Sequence, residues 1–378
     1  MKRLIHLLIL IALMALISGC DRKPAIEPSG KKIKVGIIAP FSGADLARGE
    51  EGVKGIKIAM QLLPYLDNGD GIELVLEDAG DDPALAVRSL KKLAEVDKVA
   101  AIITFSNSGP VLAMADVADT YKTPILAALA THPDTTGHND YVSQLCFDDI
   151  FQGTVAALFV RDELLIDKVA IFTNPDSHYS SNLAAQFERK FKSIDGEIVD
   201  TIFMTRANED VSDTLKWLHD KDTELLYLPI EADAVIRIIK AAESLNWKPE
   251  MMGSDILIPT VITKHKEELG LLDGVLATDF FHSDMPLTRF GRKVSAIYKG
   301  QPTSYAVLGV EGYALLLHAL NRCDDSADRE CINSQIRSTT DFTGVAGKIT
   351  IGPDGKAQRP LCVNAIRNDK MKFVVKVY

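Results

Sequence analysis

Residues 34–40 read KVGIIAP, and the chain returns to the same kind of short apolar run at IELVLED (72–78), AAIITF (100–105) and PILAALA (124–130). Between these runs lie longer amphipathic stretches at 43–63, 83–95 and 109–121. In the second of them Ala86, Leu90 and Leu93 fall on one helical face, with Val87 and Ala94 beside them. Short β-branched runs alternating with helix-period stretches predict βαβα units, hence parallel strands in a doubly wound α/β layer.

A second series of the same kind follows Cys146. Helices are expected at 151–166, near 181–194, at 212–221 and from 231, where Val235, Ile238, Ile239 and Ala242 form an apolar stripe. Between them stand KVAIFTN, EIVDTIFM, ELLYLPI, EMMGSD and GVLATDFF. Two doubly wound units in sequence are the expectation. The last hundred residues do not make a third. They offer helices at about 286–298, 305–321 and 329–339, then a hairpin-like ending with Gly352-Pro353-Asp354-Gly355 as its turn signal. These helices are expected to return to the first unit, which leaves neither unit contiguous.

The chain begins with basic Lys2 and Arg3, an apolar run from Leu4 to Ile17 broken only by His6, and then Ser18-Gly19-Cys20. That run is short for a membrane span and has the layout of an export signal. Ile17-Ser18-Gly19-Cys20 resembles the lipobox at which bacterial lipoproteins are acylated and cut, which implies a lipid anchor on Cys20 and a signal peptide over 1–19. Residues 20–32, polar and containing Pro24, Pro28 and Gly30, then fit a tether. By the same resemblance Asp21 implies retention at the inner membrane. About 345 residues remain, enough for two ordinary domains.

The net charge of −10 becomes −12 without Lys2 and Arg3 and argues against nucleic acid or an anionic surface as partner. Four cysteines remain after Cys20. Cys323 and Cys331 flank DDSADRE and would close a short disulfide loop in an oxidising compartment. Cys146 and Cys362 are left either paired or as two thiols. No zinc spacing accompanies any of them, so neither metal nor cofactor is expected. The nucleophile-elbow, zinc-protease and phosphate-loop motifs are missing and the eight histidines are scattered, which speaks against an enzyme.

The order KVGIIAPFSG, LEDAGDDPALAV, FSNSGPVLAMADVA, PILAALATHP and DFTGVAGKITIGPDGKAQRP resembles the leucine/branched-chain amino acid-binding proteins of ABC transporters. The resemblance implies a type I periplasmic binding fold: two α/β lobes joined by three crossover strands and closing on a ligand. The expected lobes are 33–145 with 280–345, and 146–279 with 346–378.

Ser108 stands between strand AAIITF and the helix that follows, where free N–H groups favour an anion. Its plainer role is to cap its own helix. The resemblance gives Ser108 and Thr131, from Ala130-Thr131-His132-Pro133, to a ligand carboxylate, and the Leu129 carbonyl and Asp255 to its ammonium. It makes Tyr179 a cover from the second lobe. An exposed loop position is the alternative for Asp255, and His132 reads as a solvated loop residue.

At Arg48 and Glu231 the chain departs from the aromatic residues of leucine binders. The two would pair, or Arg48 would meet an acidic or amide group on the ligand, or both would sit on an exposed rim. The implied function is capture of a small zwitterionic solute, an amino acid or analogue, for an ABC permease at the periplasmic face of the inner membrane. The rival is a tethered sensor or envelope-enzyme regulator on the same fold.

Overall fold

The computed structural model describes residues 26–205 and 210–378. Cys20, its signal segment and the tether up to residue 25 lie outside the described residues. Among the described residues no helix is long and apolar enough to cross a membrane.

Five parallel strands form the first sheet: β1 (Lys32–Ala39), β2 (Gly71–Asp78), β3 (Ala101–Thr104), β4 (Ile125–Ala127) and β5 (Val142–Gln144). Their order is β2-β1-β3-β4-β5. The central strands β3 and β4 are buried along their whole length, which is why they read as unbroken apolar runs, whereas the edge strand β2 mixes buried and exposed positions. The helix after β2 opens on Asp82, whose side chain accepts from the Leu85 N–H, with Pro83 in its first turn. It runs over Pro83–Lys91 and then widens into a π-turn, Lys92–Asp97.

The second sheet repeats that order and extends it. It contains β6 (Lys168–Thr173), β7 (Glu197–Phe203), β8 (Leu225–Leu228), β9 (Glu250–Gly253) and β10 (Leu276–Asp279). The order is β7-β6-β8-β9-β10, followed by β14 (Leu361–Arg367) and β15 (Lys370–Val377), both antiparallel to their neighbours. Three short strands, β11 (Phe342–Thr343), β12 (Lys348–Ile351) and β13 (Ala357–Gln358), form a small sheet of their own. The Gly352–Gly355 turn belongs to this sheet, between β12 and β13. The closing hairpin turns instead at Asn368 and Asp369, with φ of 52° and 58°, the left-handed pair that a tight hairpin requires.

After β10 the chain returns to the first sheet as the buried helix Ser304–Leu320, which crosses helix Leu46–Leu62. Glycines set the closeness of that crossing. A Cβ on Gly55 would stand 1.9 Å from the Ala306 carbonyl oxygen, and one on Gly309 would stand 2.1 Å from that of Gly52. Where the chain passes between sheets, Phe147 stacks on Phe280 with centroids 4.2 Å apart. Arg359 lies over Phe280, donates to the Leu145 carbonyl at 3.2 Å and pairs with buried Glu311 at 2.9 Å.

The Sγ atoms of Cys323 and Cys331 are bonded. Cys146 and Cys362 are separate buried thiols. Each Sγ faces a backbone carbonyl, of Ala130 and Asp279 respectively, so the two are not paired with each other. The end of the expected tether is fastened rather than free: Ser29 donates from its hydroxyl to Asp70 at 2.6 Å and from its N–H to the Gly69 carbonyl at 2.8 Å.

Gly55→Ala and Gly309→Ala should each lower the unfolding free energy by about 2 kcal/mol, because overpacking against backbone outweighs the gain in helix propensity of about 1 kcal/mol. Urea unfolding followed by circular dichroism measures this. Unchanged midpoints would show that the helices separate without cost.

Candidate ligand-binding cleft

In a doubly wound sheet the loops after the carboxyl ends of the strands converge on one crevice. Both sheets obey this rule. Arg48 follows β1, Asp81 follows β2, Ser108 follows β3, Thr131 follows β4 and Asp149 follows β5. On the other side Tyr179 follows β6, Glu231 follows β8 and Asp255 follows β9.

Ser108 is the first residue of helix Ser108–Tyr121, one place inside Asn107, so it is not the cap expected as its plainer role. Its side chain is buried and its oxygen accepts from the His132 N–H at 3.3 Å, leaving the hydroxyl proton to donate elsewhere. Thr131 is buried, and its hydroxyl has no neighbour to bond beyond the Asp149 carboxyl. Leu129 is buried in the same segment, where the chain has already left β4. His132 is half-buried rather than solvated, with its ring edge-on to His178 of the opposite lobe at 6.4 Å.

Asp255 is buried, which removes the exposed-loop alternative. Its Oδ1 accepts from the Tyr179 hydroxyl at 2.5 Å and from Gln152 Nε2 at 2.7 Å. Burial raises its pKa, and those two hydrogen bonds oppose the rise. Tyr179, itself buried, is thereby aimed at the carboxylate.

Asp149 was not among the residues singled out from the sequence, although it follows its strand as Ser108 and Thr131 follow theirs. Asp148 caps the helix Asp149–Leu158, and the Asp149 N–H donates to the Thr131 carbonyl at 2.9 Å. The Asp149 side chain is fully buried and, the Thr131 hydroxyl beside it apart, has no hydrogen-bond partner; Oε1 of Gln152 is unbonded. Burial pushes the Asp149 carboxyl well up, the nearby Thr131 hydroxyl opposes this, and Asp255 adds to it.

Arg48 and Glu231 share a chamber with Tyr305, Thr260 and Lys264, but they do not pair. Arg48 is buried and its terminal nitrogens are committed to its own lobe, to Asp81 at 2.5 and 2.6 Å and to the Asn107 side chain at 2.6 Å. Although burial works against it, that guanidinium holds the Asp81 carboxyl below its ordinary range. Glu231 lines the chamber and remains exposed to solvent, with residues of both lobes around it. Crowding by protein, then Asp45, push its carboxyl up, and Arg48 pulls it back. A separate groove of about 690 Å³, lined by Lys54, Glu51, Lys266 and His282 among others, contains none of these cleft residues.

The periplasmic binding protein family matches residues 32–370. The chain belongs to that family.

The likeness to the leucine and branched-chain amino acid binders seen in the sequence extends to the type I fold of two parallel-sheet lobes. The leucine-binding protein LivK of Thermotoga maritima superposes with a TM-score of 0.83 at 27% identity, covering 91% of this chain and 98% of that one. LivJ of Streptococcus pneumoniae, solved with isoleucine, gives 0.81 at 23%, covering 92% and 100%. A solute-binding protein of Rhodopseudomonas palustris, solved with 3,4-dihydroxybenzoic acid, gives 0.80 at 20%, covering 92% and 97%. In sequence, a Brucella abortus Leu/Ile/Val-binding protein homolog is 25% identical over 316 residues, 78% of each chain. An amino acid binding protein of Pseudomonas aeruginosa is 22% identical over 298 residues, 76% of this chain and 78% of its own.

A buried carboxylate with so little hydrogen bonding costs stability once it ionises. The pKa of Asp149 is higher in the folded state, so its contribution is fully present below about pH 4 and is lost as pH rises toward the folded value. Asp149→Asn should therefore stabilise the ligand-free protein at pH 8 by about 1–3 kcal/mol and by less at pH 4. Urea titrations at both pH values measure this, and a variant no more stable than the parent at pH 8 would contradict the account.

Proposed function

We propose that this periplasmic binding protein is a membrane-tethered receptor, lipid-anchored through Cys20, that captures a small zwitterionic solute between its lobes and delivers it to an ABC permease. The observation that carries this reading is the cluster of buried polar groups between the lobes whose hydrogen-bonding capacity the protein leaves largely unfilled: the Thr131 hydroxyl and the Asp149 carboxyl, which have at most each other, and Oε1 of Gln152. Buried polar groups are almost always satisfied, so such a set is best explained by a partner that comes and goes.

The assignment of poles follows from chemistry. The Ser108 and Thr131 hydroxyls, beside the N-terminus of helix Ser108–Tyr121, suit a carboxylate. The Leu129 carbonyl, Asp255 and Asp149 suit an ammonium, with Tyr179 covering it. The ligands of the two cited complexes, isoleucine and 3,4-dihydroxybenzoic acid, share a carboxylate, which supports the first pole. The second pole requires an amine that a benzoate lacks.

Each charge-assisted bond contributes about 1.5–3 kcal/mol. Four of them, set against association costs of at least about 4 kcal/mol, leave about 2–8 kcal/mol, which reaches the roughly −8 kcal/mol of micromolar binding only at its upper end. Residues 33–145 with 280–345, and 146–279 with 346–378, would act as the two bodies of a hinge. A ligand drives closure only through contacts it makes in the closed state and lacks in the open one. Here the carboxylate would be held by one lobe and the ammonium by both.

The full chain in detergent, stripped of co-purified solute by denaturation and refolding, should melt about 5 °C higher with a saturating amino acid of the correct class. Ser108→Ala and Asp255→Ala should each abolish most of that shift. If amino acids, dicarboxylates, amides and aromatic acids all leave the melting temperature unchanged, the capture reading falls.

A further inference from the structure

The chamber around Glu231 adjoins the residues assigned to the polar end of the ligand, since Arg48, on its wall, bonds Asn107 next to Ser108. Ile256, which lines it, is next in sequence to Asp255, and the Tyr305 hydroxyl between the lobes feels both Glu231 and Asp255. Its volume is about 20 Å³, room for one water-sized group. The charges around it do not balance. Arg48 is held by Asp81, with Asp45 3.9 Å away in the same cluster. Lys264, the other cation on the wall, pairs with Asp233 at 2.7 Å, and His265 Nε2 lies 3.1 Å from that same aspartate.

Among the described residues Glu231 makes no side-chain hydrogen bond or ion pair, so it faces the chamber without a partner. Its neighbours Asp45 and Asp81 add negative potential to that space. A second carboxylate without an ion pair, buried Asp149, stands in the cleft as well.

Resting on the capture reading above, we propose that the solute is a linear amino acid whose side chain ends in a primary ammonium received by Glu231. Three steps lead there. First, a branched aliphatic side chain ending at Glu231 would strip water from a carboxylate and give nothing in return, whereas an ammonium restores its hydrogen bonds with opposite charge. Second, an acidic side chain would meet Glu231 and its neighbours Asp45 and Asp81, while the terminal nitrogens of Arg48 are held by Asp81 and Asn107; an amide could donate to Glu231 but would leave its charge uncompensated. Third, the enclosed part of the chamber beside Glu231 is about 20 Å³, which suits a compact –NH₃⁺ group better than a planar guanidinium or an aromatic ring. Specificity would come as much from rejection as from attraction: a ligand that leaves Glu231 unpaired in the closed cleft is penalised.

The test is calorimetric titration of the full chain in detergent, stripped of solute and refolded, with L-lysine, L-ornithine, L-arginine, L-leucine and L-norleucine. Norleucine is the decisive comparison, because it has an unbranched side chain of similar reach without the terminal charge. Lysine or ornithine is expected to bind at least about a hundredfold more tightly than norleucine. Glu231→Gln, at an exposed position and checked for an unchanged circular dichroism spectrum, should shrink that preference about tenfold or more. Leucine or norleucine matching lysine, or a preference untouched by Glu231→Gln, would overturn this inference while leaving capture intact. Arginine matching lysine would overturn the ammonium-sized chamber. Binding of no amino acid and no carboxylic acid in the thermal panel would bring down the capture reading as well, so the two failures are distinguishable.

Discussion

The crossing of helices Leu46–Leu62 and Ser304–Leu320 is close enough that backbone meets backbone, and the rest of the molecule's plan depends on it. With Gly55 against the Ala306 carbonyl and Gly309 against that of Gly52, the late helix has one seat, on the outer face of the first sheet. Fixing it there obliges the chain to leave the second sheet after β10 and to come back for β14. The interior of that helix is apolar almost all round, so it could not have stayed on the surface. Two lobes that each need a distant piece of chain cannot drift apart, and the proposed hinge would lie in the segments that join them. Those segments are tied by Arg359, which reaches Leu145, Phe280 and Glu311 at once. A buried ion pair such as Arg359–Glu311 adds little net stability relative to apolar packing, but either partner alone would be costly, and it fixes which segments lie together.

Much of this was legible in the sequence because parallel strands buried on both faces must be apolar runs, and each must be followed by a helix. KVGIIAP, AAIITF and KVAIFTN could hardly be read otherwise. Ser108 and Thr131, read from their places after strands, and Tyr179 and Asp255, given by the resemblance, all lie beyond the end of a strand. What escaped the reading was set by contacts between residues far apart. Arg48 pairs with Asp81, 33 residues away, so its availability to a ligand could not be judged from LARGE. Asp149 was hidden beside Asp148, a helix cap; only the fold decides which of two adjacent aspartates turns inward. PILAALA reads as seven residues of strand, but only Ile125–Ala127 pairs, since the rest must leave the sheet to bring Leu129 and Thr131 into the crevice. The final turn was missed for a local reason: Asn368-Asp369 is a weaker signal than the Gly-Pro-Asp-Gly that dominates that stretch, and it is the one that makes the closing hairpin.

The balance of charge between the lobes links the fold to the function. Both cations around the Glu231 chamber, Arg48 and Lys264, are already paired, while Asp149, Asp255 and Glu231 gather on or near the wall formed by the second unit. Like charges brought together in a crevice of low polarity oppose its closure, and burial opposes their ionisation. If the cleft captures a cationic solute as proposed, it would be biased when empty to stay open or to take up protons, and the solute would remove both penalties together. Such a ligand would do more than fill a space: it would supply the charge without which the closed arrangement is unfavourable. On this account the poor pairing of the cleft carboxylates is what couples binding to hinge motion. An acid-free cleft of the same shape would hold a solute without distinguishing so sharply between its open and closed states.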